Sequence, residues 1–160
     1  MKMENLESIS FRKLNENDKD LFIKLRLAYL NEEHNLDEIE RDQLIDNLKV
    51  YFENHIVKND FIGVIGEYNG KIVSVAYLAI SEKPPNPSFI NGKIGTLLNV
   101  FTYPEYRKKG IAGEIVKKII NEAIKMDIKV IELKATEEGI KLYEKIGFKE
   151  CKYKNMNLKI

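Results

Sequence analysis

The chain contains no tryptophan, one cysteine and two histidines in 160 residues. A single cysteine excludes a disulfide within the chain. Because Cys151 falls in an alternating apolar and polar pattern, we expect it to be a structural residue of a strand, buried as cysteines usually are. His34 and His55 lie far apart with no ligand spacing around them, so we predict no metal site.

A long apolar run and a strong net charge are also missing. No stretch approaches the roughly 20 apolar residues that a membrane-spanning helix needs. Residues 1–5 are polar and lack the apolar core of a signal peptide. We therefore expect a cytoplasmic protein with no membrane partner. A formal net charge of +1 argues against nucleic acid as a general partner.

The length and composition are those of a soluble globular protein. Apolar residues make up 44% of the chain and charged residues 32%, and no linker, repeat or low-complexity segment interrupts them. We predict a single domain over residues 1–160, large enough to bury a core.

Hydrophobic periodicity predicts alternating strands and helices. Strands are predicted at 8–14, 61–68, 72–80, 93–103 and 128–133, with one or two more within 148–160; helices are predicted around 21–29 and at 36–56, 111–126 and 137–146. Polar residues 31–35 should break the first helix from the second. Asn69-Gly70 is a tight-hairpin signal, and 81–92 is a proline-bearing loop. The unit 93–133 should form a right-handed parallel crossover in a mixed α/β fold.

The most informative segment is the turn before the third main helix, Arg107-Lys108-Lys109-Gly110-Ile111-Ala112. The first N–H groups of a helix have no partner within it and lie at the positive end of its dipole. Gly110 lets the main chain approach a ligand without an intervening Cβ. Three neighbouring cations add a weak attraction for anions. The segment therefore predicts a pyrophosphate site.

Two motifs in this order are similar to those of the GCN5-related N-acetyltransferase (GNAT) family. The pattern Arg-x-x-Gly-x-Ala after a strand resembles the family's acyl-CoA-binding turn, and residues 135–148 resemble its Leu-Tyr-Glu-Lys-x-Gly-Phe segment. The resemblance implies one GNAT-like domain with a mixed, mostly antiparallel sheet flanked by about four helices. Strands 93–103 and 128–135 would be a parallel pair that splays apart to admit pantetheine. Family members are often dimers, which implies a homodimer.

The resemblance also implies an activity, the transfer of an acetyl group from acetyl-CoA to a primary amine of a small molecule or peptide by direct attack. Tyr143 matches the family's general acid for the leaving thiolate, and a phenol is protonated at neutral pH. A backbone N–H within 98–100 would stabilise the oxyanion. The residues expected to contact the cosubstrate are Leu98, Val100, Arg107, Lys108, Lys109, Gly110, Ile111, Ala112, Gly113 and Thr136.

Several assignments stay open at this point. Asn99 is a polar residue in an apolar run, so it either faces the acceptor site as a catalytic group or bonds to neighbouring backbone. Thr136 stands where many members have asparagine, and it is either a cosubstrate contact or a helix N-cap. The candidates for the general base are Glu32, Glu33 and His34, and Arg26 is a candidate to bind an acidic group of the substrate. The alternative to an enzyme is an acetyl-CoA-binding sensor or partner-binding module without turnover.

Overall fold

A computed structural model describes residues 8–160, in which five strands form one sheet in the order β1-β2-β3-β4-β5. The strands are β1 (Ser10–Lys13), β2 (Phe61–Tyr68), β3 (Lys71–Glu82), β4 (Lys93–Thr102) and β5 (Val130–Glu132), and the α-helices are α1 (Lys19–Glu33), α2 (Glu38–Lys58), α3 (Ile111–Lys125) and α4 (Glu137–Ile146). Neighbouring strands are antiparallel except for the parallel pair β4 and β5. The predicted mixed, mostly antiparallel sheet with four helices is confirmed. Residues 1–5, on which the absence of a signal peptide was predicted, lie outside the described residues.

The sheet separates two apolar layers, because alternate side chains of a strand point to opposite faces. Phe61, Ile65, Val75 and Tyr77 pack with α1 and α2, and the α2 side of this layer is anchored by Phe52. The other face is covered by α3, whose inward residues Ile115, Val116, Ile119 and Ala123 contact Ile62, Val64, Ala76 and Leu78. Burial on both faces explains why β2 and β3 are apolar at nearly every position. No helix within residues 8–160 combines the length and apolar character needed to cross a membrane.

Two local sequence signals predict the last residue of a strand and of a helix. Asn69 and Gly70 both have positive φ, 49° and 73°, which is the conformation of a tight two-residue hairpin between right-twisted strands. Gly147, with φ 114°, ends α4 and donates its N–H to the Tyr143 and Glu144 carbonyls. β2 and α4 accordingly span the predicted residues.

The break between the first two helices begins later than predicted, and two other predictions are wrong. α1 continues to Glu33 because an exposed last turn needs no apolar side chains, and residues 34–37 then separate it from α2. No strand forms among residues 148–160, where alternation alone offers no partner edge. Cys151 is accordingly exposed rather than buried in a strand.

Tyr77 makes the stability of the fold sensitive to alkaline pH. Its side chain is 0% exposed and its hydroxyl donates a 3.2 Å hydrogen bond to the Phe22 carbonyl. Burial raises the pKa of the Tyr77 hydroxyl far above its ordinary value. Above about pH 10, the unfolded chain therefore loses a proton that the folded chain keeps. The folded state binds more protons, so its stability falls as pH rises.

We expect the free energy of unfolding to fall by about 1.4 kcal/mol per pH unit from Tyr77 alone above pH 10. Urea titrations at pH 8, 10 and 11 measure this slope. Tyr77→Phe should cost about 1 kcal/mol at pH 8, where the hydrogen bond is lost, yet should give a shallower alkaline slope. An equal slope in the variant would show that Tyr77 does not carry the effect.

Candidate active site

The edge between β4 and β5 opens after a short paired stretch. The paired residues are Ile94 with Val130, Gly95 with Ile131 and Thr96 with Glu132. Beyond Thr96, β4 continues to Thr102 without a β5 partner among the described residues. Backbone groups on this edge therefore lack ladder partners, and such groups are costly unless a ligand or water satisfies them. The predicted divergence of the parallel pair begins at Thr96.

A cleft of about 1350 Å³ occupies this opening. Its walls are the last turns of α1, strand β4 after Ile94, the turn before α3, the end of β5 and the first turns of α4. Asn155 and Met156 of the C-terminal segment also line it. Every residue predicted above as a catalytic or cosubstrate contact lines the cleft except Lys109. The sequence motifs, far apart in the chain, thus meet in one place.

The turn before α3 has the geometry of an anion-binding site. Pro104 opens a short 3-10 turn that ends β4, and Lys108 and Gly110 both adopt positive φ, 60° and 80°. The first hydrogen bond of α3 runs from the Glu114 N–H to the Gly110 carbonyl (3.2 Å). The N–H groups of Ile111, Ala112 and Gly113 therefore have no partner within the helix.

The three cations of this turn are placed differently from one another. Arg107 donates from Nη2 to both carboxylate oxygens of Glu32 (2.7 and 2.6 Å) and from Nε to the Thr102 carbonyl (2.7 Å). Lys109 folds back onto the preceding turn, where its Nζ donates to the Glu105 carbonyl (3.1 Å) and lies 5.5 Å from the Tyr106 ring centroid. Lys108 lines the cleft, and no residue of the described range pairs with its charge. Arg107 thus braces the turn against α1, and Lys109 lies outside the cleft lining.

A β-bulge interrupts β4 at the centre of the cleft. Tyr77 of β3 pairs with Leu98 and Val75 with Phe101, so Asn99 and Val100 together face Ala76. Asn99 has φ 56°, a left-handed conformation uncommon for residues other than glycine. The extra residue removes backbone groups of 99–100 from the regular ladder.

One polar atom of the Asn99 side chain has a hydrogen-bond partner among the described residues, and the other has none. It is 2% exposed, and its Oδ1 accepts a 3.1 Å hydrogen bond from Nη1 of Arg26. Its Nδ2 is buried with no hydrogen-bond partner in residues 8–160. The alternative of a bond to neighbouring backbone is therefore wrong, since the contact is a side chain 73 positions away.

Tyr143 lies on α4 and lines the cleft from that helix. Its ring packs edge-to-face on Phe148 with 5.8 Å between centroids, and no residue of the described range accepts a hydrogen bond from its hydroxyl. Burial raises the pKa of the Tyr143 hydroxyl. The phenol is therefore a neutral donor throughout the physiological pH range.

The α1 wall carries a row of polar residues with helical spacing. The Arg26 guanidinium carbon lies 5.6 Å from the Tyr29 ring centroid, and the Tyr29 hydroxyl donates a 2.6 Å hydrogen bond to Glu33. Burial, followed by the Glu33 carboxylate, raises the pKa of the Tyr29 hydroxyl. Tyr29 was predicted only as part of the helix around 21–29. Its spacing of three from Arg26 and four from Glu33 was the signal that all three share one side.

Thr136 is the N-cap of α4. Its side chain accepts a hydrogen bond from the Gly139 N–H at 3.3 Å, which is the cap interpretation left open above. Thr136 also lines the cleft, and its hydroxyl proton is not used by the cap. Both interpretations of this residue are therefore compatible with the structure.

Comparisons with known proteins agree with this geometry. The model of the Acetyltransferase (GNAT) family matches residues 24–148. A predicted acetyltransferase from Clostridium acetobutylicum, solved with acetyl-CoA, is 29% identical with a TM-score of 0.81, over 93% of this chain and 96% of that one. A GCN5-related N-acetyltransferase from Ralstonia eutropha JMP134 is 24% identical with a TM-score of 0.80, over 94% and 98% of the two chains.

A third structure shares the fold at lower sequence identity. An aminoglycoside acetyltransferase from an uncultured soil metagenomic sample is 20% identical with a TM-score of 0.74, over 96% of this chain and 99% of that one. At this identity the likeness is one of fold. No curated protein matches the chain significantly in sequence. Because the family model covers most of the chain and the cleft, the turn and the open strand pair occur together, the protein belongs to the GNAT family of acetyltransferases.

Proposed function

We propose that the protein transfers an acetyl group from acetyl-CoA to the primary amine of a small molecule or peptide. The observation that carries the proposal is the start of α3. The N–H groups of Ile111, Ala112 and Gly113 follow the left-handed Gly110 and lie on the cleft that holds Tyr143. Unpaired N–H groups at the positive end of a helix are suited to a pyrophosphate. The Clostridium acetobutylicum relative was solved with acetyl-CoA, which supports this choice of ligand.

The open edge of β4 fits the rest of such a cosubstrate. Pantetheine is an extended chain with two amides, and residues 97–102 offer backbone groups that β5 leaves unpaired. Leu98 and Val100 line the cleft on this edge and are half-buried. We propose that they flank the pantetheine arm and that Lys108 and Gly110 to Gly113 hold the diphosphate. Arg107 would act by bracing the turn through Glu32, not as a phosphate ligand.

Acetyl transfer needs a hydrogen-bond donor to the oxyanion, a proton donor to the leaving thiolate and removal of protons from the amine. Acetyl-CoA, when bound, supplies an activated acyl group. A C–N bond forms as the C–S bond breaks; the ammonium loses one proton before attack and the second as the amide forms. The bulge at Asn99 and Val100 frees a backbone N–H for the developing oxyanion. Tyr143 holds a proton for the departing sulfur.

The hydrogen bonds of the two candidate carboxylates support Glu33 over Glu32 as the general base. Both carboxylate oxygens of Glu32 are bound by Arg107, which leaves that group poorly placed to accept a proton. Glu33 accepts from Tyr29 through one oxygen, and its other oxygen lies 3.9 Å from Nε2 of His34. Glu33 is therefore the carboxylate of this segment that we propose to face the amine, with a water chain as the simpler alternative.

A calorimetric titration combined with an acetylation assay tests the proposal. We expect acetyl-CoA to bind with a stoichiometry of one per chain, and free thiol to appear when an amine from a broad panel is added. Thiol release without an acetylated amine in the mass spectrum would indicate hydrolysis. Binding without turnover across the panel would favour the sensor. No affinity for acetyl-CoA in folded protein would overturn both.

A further inference from the structure

We infer that Arg26, held by Asn99, is a carboxylate-binding residue, and that the acceptor is an amine with a carboxylate close to it. This inference rests on the proposed function and specifies its substrate class. Amino acids, and peptides with an acidic group next to the acetylated amine, belong to this class. Polyamines and aminoglycosides do not, because their additional cations would be repelled at the same position.

Arg26 has no carboxylate partner among the described residues. It is half-buried on α1 and lines the cleft, yet no Asp or Glu within residues 8–160 forms an ion pair with it. Arg107, the other arginine of the cleft lining, is paired to Glu32 through both carboxylate oxygens. Removing a cation from water without a counter-ion is costly. A ligand that brings its own anion would remove that cost.

Two side chains hold the Arg26 guanidinium in place. Its Nη1 donates to Asn99, and its guanidinium lies 5.6 Å from the Tyr29 ring centroid. An arginine presents five N–H donors in a rigid fork, and the contact with Asn99 uses one of them. The remaining donors are enough for bidentate binding of a planar carboxylate.

Arg26 lies beside the part of β4 where the reaction is proposed to occur. Asn99 is the bulge residue of β4, between Leu98 and Val100, where we propose that the thioester lies. Arg26 is therefore at the reacting end, whereas Lys108 lies in the turn before α3. Lys83, another cation of the cleft lining, is paired with Glu132 at 3.4 Å. Lys134, which lines the cleft without an ion-pair partner in the described part of the chain, follows β5. Arg26 differs from it because its side chain contacts the bulge residue directly.

Asn99 also offers a donor of its own to the carboxylate that we expect Arg26 to bind. Its Nδ2 is buried without a partner, next to the oxygen that holds Arg26. A small shift of the side chain on ligand binding would give that N–H an acceptor, and a carboxylate oxygen beside Arg26 is one. Asn99 is thus a positioning residue for Arg26 and an additional donor to the same carboxylate.

The experiment compares amino acids with their carboxamides as acceptors. The carboxamide has the less basic amine, so protonation alone would favour the amide. We expect kcat/KM to favour the acid in the wild type by about 10- to 100-fold. Arg26→Gln should remove this preference through KM for the acid, and Arg26→Lys should retain part of it. Lys24→Gln, which removes an exposed cation of the same helix outside the cleft, is the matched control and should behave as the wild type.

A binding measurement keeps the inference testable without turnover. Calorimetry with N-acetyl amino acids and their amides, with and without CoA, should show tighter binding of the acids in the wild type and in Lys24→Gln, but not in Arg26→Gln. Equal binding or turnover of acid and amide by the wild type, preferred turnover of spermidine, or an equal penalty for acid and amide in Arg26→Gln would overturn the inference. Acetylation without an acid preference would leave the proposed function intact. No acetylation of any amine, together with Arg26-dependent binding of acids, would overturn the proposed function and the acceptor class with it, and would leave Arg26 as a carboxylate-binding residue.

Discussion

Tyr143→Phe is expected to lower kcat about a hundredfold or more, since a positioned general acid contributes about 10²–10⁴. Affinity for acetyl-CoA should stay within about twofold of the wild type, because the change removes one oxygen and no backbone donor. The phenylalanine ring keeps the edge-to-face contact with Phe148. Steady-state kinetics and calorimetry with the same preparation separate the two quantities.

A matched removal of one phenol oxygen elsewhere supplies the control. Tyr153 is 76% exposed and lies outside the cleft lining, so Tyr153→Phe should leave both kcat and affinity unchanged. If Tyr143→Phe turned over as fast as the wild type with unchanged affinity, proton donation by Tyr143 would be wrong. If affinity fell in proportion to turnover, Tyr143 would be a binding residue, not an acid.

Gly110→Val should weaken binding of CoA by about a hundredfold. Gly110 has φ 80°, a conformation that costs a β-branched residue of order 1–3 kcal/mol. Relief of that cost would turn the N–H groups of Ile111 and Ala112 away from the cleft, and the added side chain would occupy the space that the ligand's diphosphate needs. Calorimetric titration with CoA measures the loss directly.

Two further variants identify the cause of such a loss. Gly70→Val introduces the same residue at φ 73°, in a hairpin where a Cβ would contact nothing within 4 Å, so it should lose stability without losing CoA affinity. Asparagine tolerates the left-handed conformation, so Gly110→Asn tests the effect of side-chain bulk apart from the backbone cost. We expect its affinity for CoA to lie between those of the wild type and Gly110→Val. A Gly110→Val protein that binds CoA as tightly as the wild type would show that the turn is not the diphosphate site.

The parts of the fold that the sequence predicted are those set by local chemistry. Asn69-Gly70 determines the hairpin, and Gly147 ends α4 because it adopts φ 114° at little cost. The turn at Gly110 belongs to the same class, since a glycine before an amphipathic helix is visible without a partner. These signals act within a few residues and need no tertiary information.

The predictions that failed depend on partners far away in the chain. Residues 148–160 alternate like a strand, but pairing needs a free edge in register, which no local pattern provides. Asn31 and Glu32 look like a helix break, yet an exposed last turn of α1 accepts them. In each case local pattern and tertiary context pointed in opposite directions.

The candidate site likewise divides into features set by local sequence and features set by distant contacts. Tyr143 and the turn were predicted because they lie in short motifs. The contacts of Arg26 with Asn99 and of Glu32 with Arg107 join positions 73 and 75 residues apart, and the bulge at Asn99 follows from pairing with β3. The contacts that position the polar residues of α1 therefore became visible only in the assembled fold.

The three residue pairs that join β5 to β4 have a consequence for the lifetime of the folded chain. A molecule that bridges the opening between these strands supplies hydrogen bonds that the ladder does not, and it binds only the folded state. By mass action, a free concentration about a hundred times Kd adds about 2.7 kcal/mol to the free energy of unfolding. Resistance to heat and to proteases should therefore rise when the acyl donor is plentiful and fall when it is scarce.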